Sequence, residues 1–375
     1  MVINIDFMKK YLISIILFIT GLSISTSAQE LQWNLNLNYF FDNTEFARSA
    51  LSNDQTMTGV HFSPELGMKW DENNSIYGGV DLLKKSASKT FADNVKFIAY
   101  YQFRNENTLF KAGAFQRGDL LSDYSTAFFQ DSIGFYRPIM EGLFLKKGNE
   151  TGYFKLWMDW TGLQTNTDRE TFYLGASAYK QIRGPFFADF QSYMFHFAGM
   201  NPYNPDITVC DNLLAQLSVG VKYSNIWVLN NLMASAGVLS GFERDRYDMN
   251  NYGTPTGAIF RINADYKGIG TENNLYFGQP HMVLYRRYKN ELYWGNPFYR
   301  DNYYIESKIF WNLIDTRTVK GQLAAKLHVT EGKLLFEQLF TLRASIGSDQ
   351  PKPRKTTLWD YFIKKKALPR NNFNL

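Results

Sequence analysis

The chain reads as an all-β protein, a transmembrane up-and-down antiparallel β-barrel of about 16 strands, with roughly 14–18 compatible with the pattern. Three observations carry this reading. Apolar and polar residues alternate over segments of about ten residues, the length a tilted membrane-crossing strand needs. The connections between segments run long, short, long, short along nearly the whole chain. Aromatic residues make up 17% of the sequence while mean hydropathy stays at −0.32, the balance expected when lumen residues dilute a lipid-facing set.

The first segment, Leu31–Phe41, shows the alternation most plainly. Leu31, Trp33, Leu35, Leu37, Tyr39 and Phe41 share one parity, and Gln32, Asn34, Asn36 and Asn38 the other. Successive strand side chains point to opposite faces, so this ribbon has an apolar face and an amide face. A soluble sandwich would cover the apolar face with a second sheet; a membrane barrel covers it with lipid. The rest of the chain decides between the two.

After the loop at 42–57, the polar and apolar residues of Val60–Trp70 alternate, and a tight turn leads into Ile76–Leu82. The loop 84–94 precedes Val95–Phe103, and Asn105-Glu106-Asn107 turns the chain into Leu109–Arg117. A long aromatic loop, 118–138, leads to Ile139–Leu145, then Tyr153–Thr161, the loop 162–170 and Phe172–Lys180. Phe186–Phe197, the loop 199–212, Leu213–Tyr223, Val228–Leu239 and the loop 241–254 continue the rhythm. Ala258–Tyr266 and Asn273–Gly278 come before the longest loop, 279–302. Tyr303–Leu313, Val319–Val329 and Leu334–Ile346 complete the set, with Leu334–Ile346 able to pair with the first strand at closure. Only Glu331 to Lys333 places a short connection on the long-loop side. A sandwich has no reason to keep its long loops at one end.

The N-terminus reads as an export signal over residues 1–28. Lys9 and Lys10 precede the apolar run from Tyr11 to Ile19, and Thr26-Ser27-Ala28 supplies small residues for cleavage. The apolar run is roughly 12 residues, short of the ~20 a spanning helix needs. Residues 29–347 form the barrel in this reading. Residues 348–375 form a basic periplasmic tail carrying Lys352, Arg354, Lys355, Lys364, Lys365, Lys366 and Arg370. Without Asp6, Lys9 and Lys10 the chain has 38 basic and 34 acidic side chains, too mild an excess to point to nucleic acid. The single cysteine, Cys210, excludes an intramolecular disulfide framework and cysteine-based metal sites. No cofactor is expected.

Assigning the apolar parity to lipid leaves Lys69, Lys96, Arg104, Lys111, Lys155, Lys222, Arg261, Lys308, Lys320, Lys326 and Arg343 among the lumen cations. The opposing acids include Glu65, Asp81, Asp189, Asp265, Glu306 and Glu337. Basic groups lead, so a weak preference for anions is expected. Strand-end aromatics such as Trp33, Tyr153, Trp160, Tyr223, Tyr266 and Trp311 suit interfacial girdles.

By these features the chain resembles bacterial outer-membrane porin-like barrels over about Leu31 to Ile346. More narrowly, Asp159-Trp160-Thr161-Gly162-x-Gln164 followed by Arg169-Glu170-x-Phe172 resembles porin-like proteins of Bacteroidetes-type bacteria. The resemblance implies a Gram-negative outer-membrane location, with membrane lipid and lipopolysaccharide as neighbours and a homo-oligomer as a familiar arrangement. Such barrels often end on a terminal aromatic strand, and this chain continues to Leu375.

Two groups stand out as site candidates. Arg117, Arg137, Glu141, Asp159, Arg169 and Glu170 cluster at strand ends around the loops 118–138 and 162–170. A long loop folding inward against charged walls makes a pore constriction; the same residues can simply pair to fix the rim. In the loop 279–302, Tyr285, Tyr288, Tyr293, Trp294 and Tyr299 stand among Arg286 and Arg287. Exposed rings there can stack on sugars and arginines hold acidic glycans; equally, the rings can pack together and stiffen the loop. His61, His196, His281 and His328 have no ligand spacing, and no hydrolase motif is present, so no catalytic or metal residues are expected and the protein reads as a non-enzyme. The expected function is passive diffusion of small hydrophilic solutes through a polar lumen. The alternative is a plugged barrel that binds glycan or a partner protein through its outer loops.

Overall fold

In the computed structural model, residues 29–200, 208–249 and 251–348 are described. The expected export signal, and the expected tail beyond Ser348, lie outside these residues. Sixteen strands close into one antiparallel barrel. They begin with β1 (Glu30–Glu45), β2 (Gln55–Lys69), β3 (Asn74–Lys85) and β4 (Asn94–Arg104). β5 (Thr108–Gln116), β6 (Ile139–Asn149), β7 (Gly152–Gly162) and β8 (Thr171–Arg183) follow. The second half comprises β9 (Phe186–Phe197), β10 (Cys210–Ile226), β11 (Leu229–Asp245) and β12 (Thr256–Tyr266). β13 (Ile269–Gly278), β14 (Tyr303–Asp315), β15 (Val319–Thr330) and β16 (Lys333–Gly347) complete the wall.

Each strand pairs with its neighbours in sequence, and β1 pairs with β16 from Asn34↔Gly347 to Glu45↔Phe336. Closure removes the unpaired sheet edges that lipid cannot hydrate. The short connection on the long-loop side is a two-residue turn in which Glu331 and Gly332 have φ of 53° and 68°. That left-handed pair matches the twist of a tight hairpin. Glu331 also accepts hydrogen bonds from Ser49 and the Ala50 amide of the first loop, which ties the turn across the seam.

The two parities separate as the alternation requires. Leu31, Leu66, Phe97, Leu217, Val219, Val238, Ile309 and Trp311 are exposed on the outer wall. Gln32, Ser63, Gln102, Lys155, Gln191 and Gln216 are buried on the inner one. An apolar outer wall with a polar inner wall is the inverse of a soluble sandwich and the arrangement lipid demands. Tyr153 is a correction to the girdle assignment: it shares the inward parity of Lys155 and Trp157, with the Lys155 ammonium 5.3 Å from its ring.

A barrel of this strand number is too wide for its own side chains to fill. Here two long connections fold into it. The segment between β5 and β6 carries the short helices α1 (Gly118–Leu121) and α2 (Asp131–Tyr136). The segment between β13 and β14 carries α3 (Tyr285–Leu292), broken at Lys289, and a 3-10 turn at Pro297–Arg300. Their rings join wall residues from both sides of the barrel in one hydrophobic cluster.

Candidate functional site

The first inward loop begins at Arg117, which is 2% exposed. Its guanidinium pairs with Asp159 on β7 and donates to the carbonyls of Arg137 and Ile139 at 2.8 and 3.0 Å. One side chain thus joins the loop's start, its end and the wall. Inside the lumen, three acids of the loop seat on three wall lysines. Asp119 lies 2.8 Å from Lys111, Asp123 lies 2.7 Å from Lys155, and Asp131 pairs with Lys326. Burial alone would raise the Asp131 pKa, but the charge and the hydrogen bond of Lys326, joined by the Lys308 charge, together hold the carboxyl below its ordinary range. Tyr124 donates to the Ser192 carbonyl at 3.0 Å and Ser125 to Gln216 at 3.0 Å. At the far end, Phe135 stacks on Phe40 at 4.6 Å, and its carbonyl meets His61 at 2.6 Å.

The second loop is anchored on β10 and β11. The Glu243 carboxylate accepts the amides of Met282 and Val283, each at 3.0 Å, and the Tyr293 hydroxyl. Burial, reinforced by the Glu243 charge, keeps Tyr293 protonated. Asn212 donates to the Leu292 carbonyl at 3.1 Å, and Tyr288 donates to Asp245 at 2.5 Å. Trp294 packs 4.7 Å from Tyr173, with the guanidinium of Arg137 4.5 Å and that of Arg117 5.3 Å from its ring. The two loops are stitched to each other by backbone bonds, Gln130 N–H to Trp294 O and Asn296 N–H to Thr126 O, both 2.8 Å. Gly295 lies between them, where any Cβ would collide with the Ala127 carbonyl. Together the loops reach the inner wall from β1 round to β15.

The sequence-predicted residues divide accordingly. Arg117, Arg137 and Asp159 come together as the stem of the plug. Arg169 serves the rim by donating to the Ala198 and Thr208 carbonyls, and Glu170 exchanges backbone bonds with Gly199 and Ala198. Glu141 departs from the expectation: it lies on the outward parity, 3.8 Å from Lys96, and does not meet the loop. In the second loop Tyr288, Tyr293, Trp294 and Tyr299 are buried, so these rings pack as loop core and their faces are not offered to a sugar. Tyr285 is partly exposed, with the Arg300 guanidinium 3.8 Å from its ring. Arg286 is exposed, and Arg287 pairs with Asp245 at 2.9 Å and with Asp248. Sequence reasoning named the lysines but missed Asp119, Asp123 and Asp131; three acids in a loop facing three wall lysines was the available signal.

The histidines serve separate tasks. His61 bonds Asp81 at 2.9 Å while Ser63 bonds the other oxygen of the same carboxylate. His328 bridges Tyr304 and Glu337 at 2.7 and 2.9 Å. His281 is buried with both ring nitrogens unpartnered, beside a cavity of about 10 Å³, room for one water. Burial pushes its pKa down to about 4. Only His196 faces outward, stacked 4.7 Å from Phe172. Among the described residues no group of three or more His, Cys, Asp or Glu is placed to hold a metal ion.

The outer wall carries a second polar cluster, at the loop end of β10 and β11. In register, His196 faces Asp211, and Asp211 faces Arg244. The Asp211 carboxylate accepts from Arg244 at 2.8 Å, from Arg246 at 2.7 Å and from the Tyr252 hydroxyl at 3.3 Å. The Arg244 guanidinium lies 4.4 Å from the Tyr252 ring. Sequence reading placed Asp211, Arg244, Arg246 and Tyr252 in the loops 199–212 and 241–254; β10 and β11 extend far enough to carry Asp211 and Arg244, while Arg246 and Tyr252 follow the end of β11.

These features define the class: an antiparallel membrane-type barrel with an apolar outer wall and two long loops folded into its lumen. The chain belongs to the Lipid A 3'-O-deacylase-type family, whose model matches residues 24–346. No curated protein matches it. Among solved structures, it is similar to an anion-selective porin from Comamonas acidovorans, at 9% identity over 85% of this chain and 99% of that one, with a TM-score of 0.49. The outer membrane protein opdK from Pseudomonas aeruginosa matches at 8% identity over 85% and 99%, with a TM-score of 0.46. A loop-deletion mutant of OmpT, an outer membrane protein of Vibrio cholerae, matches at 9% identity over 85% and 100%, with a TM-score of 0.49.

Proposed function

We propose that this protein is an outer-membrane barrel closed by its own loops, whose working surface is the lipid-facing wall at the loop end and whose ligand is an anionic lipid of the outer leaflet. The observation that carries this reading is the wall-to-wall plug. A diffusion pore needs a continuous polar path, and here the first loop and its buried rings cross the lumen between ion pairs on opposite walls, Asp123 with Lys155 on β7 and Asp131 with Lys326 on β15. With the lumen occupied, the outer wall at the loop end is a surface open to function. Lipid A, the molecule in the family's description, is the outer-leaflet lipid this wall would meet.

Removal of an acyl chain, the activity in that description, needs a nucleophile within reach of a base. On the outer wall Ser192 shares the parity of the outward histidine on β9 but stands four residues away, about 13 Å by strand rise, and its hydroxyl donates to the Ala176 carbonyl at 3.4 Å. The outward histidine, His196, stands on β9. That separation favours binding over cleavage. Purified protein incubated with lipid A tests the reading by mass spectrometry: retained, intact lipid supports it, while loss of an acyl chain or no retention counts against it.

A further inference from the structure

We infer that Arg244 and Arg246 form a phosphate-binding clamp for a phosphorylated glycolipid seated against the outside of the barrel. The inference rests on the lipid-facing reading above and names its site.

Two guanidiniums share one carboxylate, so the cluster keeps an excess positive charge. Asp211 takes the Nε and Nη2 edges of both arginines. The Nη1 group of each has no hydrogen-bond partner among the described residues, and the Arg246 side chain is half exposed. Tyr252 holds Arg244 from a second direction, by ring contact and through its hydroxyl on Asp211. A guanidinium fixed on one edge and free on the other is pre-organised for an oxyanion, because little side-chain entropy remains to be lost on binding.

Position supplies the identity of the ligand. Two residues nearer the midplane on the same outward parities stand Leu213 and Phe242, which face each other in register. Strand rise places them about 7 Å along the strand from the charged pair. Below them Leu217, Val219 and Val238 continue the exposed apolar wall. A molecule lying along β10 and β11 therefore meets hydrocarbon-compatible surface and, one step higher, two positive groups. That is the profile of a lipid with acyl chains and a phosphate headgroup. A soluble anion would use the charges and leave the apolar wall unused.

The test uses full-length protein in phosphatidylcholine nanodiscs doped with bisphosphorylated lipid A or with its dephosphorylated form, and native mass spectrometry counts retained glycolipid. Wild type is expected to retain the phosphorylated form about tenfold better, the factor one charge-assisted contact supplies. R244Q/R246Q is expected to lose that preference while keeping the heat-modifiable mobility of a closed barrel. R246Q alone, changing a half-exposed side chain, is expected to lose part of it, and R244K/R246K to fall between, because an ammonium lacks the fork. Equal retention of the two glycolipids by wild type, or an unchanged preference in R244Q/R246Q, overturns the clamp. Retention by wild type that the substitutions leave untouched would refute the clamp and spare the lipid-facing reading; no retention by any form would remove both.

Discussion

Asp123, at the middle of the first inward loop, sits 2.7 Å from Lys155 on the barrel wall, with the lysine side chain 4% exposed and the acid 12%. The pair sits deep enough that losing one partner strands the other. Lys155→Met is expected to destabilise the closed barrel by about 3–5 kcal/mol, because it leaves a carboxylate without its countercharge. The double change Lys155→Met with Asp123→Leu is expected to cost less, since neither charge remains. Urea midpoints for refolding into vesicles measure both, and a double mutant no more stable than Lys155→Met would contradict the pairing.

Gly295 separates the two loops where their backbones cross. A Cβ there meets the Ala127 carbonyl, and the flanking bonds at 2.8 Å leave little room to shift. Gly295→Ala is expected to cost about 1–3 kcal/mol as an overpacking change. Its signature is a loosened plug: faster protease cleavage within 117–138 and 279–302, with barrel mobility on gels retained.

Much of the wall was legible in the sequence. The alternation in Val319–Val329 placed Lys320, Gln322, Lys326 and His328 on one parity, and the barrel has them inward. Pairing of Leu334–Ile346 with the first strand also appears as expected. Strand ends were less legible: Asp211 and Arg244 broke the apolar parity, although both belong to strands that rise beyond the lipid band. The inward loops were legible only in part, as a folding-in of 118–138 and a plugged barrel held as the alternative, because an aromatic ring suits lipid and a packed lumen equally. Trp157, Tyr173, Tyr193 and Phe195 turn inward to meet Phe129 and Trp294, and periodicity says nothing about where a loop goes after it leaves its strand.

Burial of His281 gives a pH dependence with a definite sign. Its pKa falls from an ordinary 6.5 to about 4 in the folded protein, so the unfolded chain binds the extra proton first. The neutral ring contributes stability that is fully present above about pH 6.5 and lost as pH falls towards about 4, by up to about 3 kcal/mol. His281→Leu is expected to flatten stability across that window and to cost little at neutral pH, since the ring nitrogens have no partner to lose. Midpoints compared at pH 7 and pH 4.5 measure it; an unchanged slope in the variant would contradict the assignment.

Arg117 closes the stem of the first loop with three partners on two sides. Arg117→Lys keeps the charge but has one nitrogen to replace three, and a loss of about 2–3 kcal/mol is expected. Arg117→Met strands Asp159, which is 1% exposed, and is expected to cost about 3–5 kcal/mol. An order reversed between the two, read from thermal loss of the compact gel form, would show that the stem is held by packing alone.

Single-channel recording of the purified wild-type protein in planar bilayers tests the plugged lumen most directly. Rings and ion pairs spanning from Lys155 on β7 to Lys326 on β15 predict a silent membrane, with steps appearing only after the first loop is unseated by the Lys155→Met and Gly295→Ala changes together. Discrete, reproducible conductance steps from the wild-type protein would contradict a plugged lumen and restore the diffusion channel.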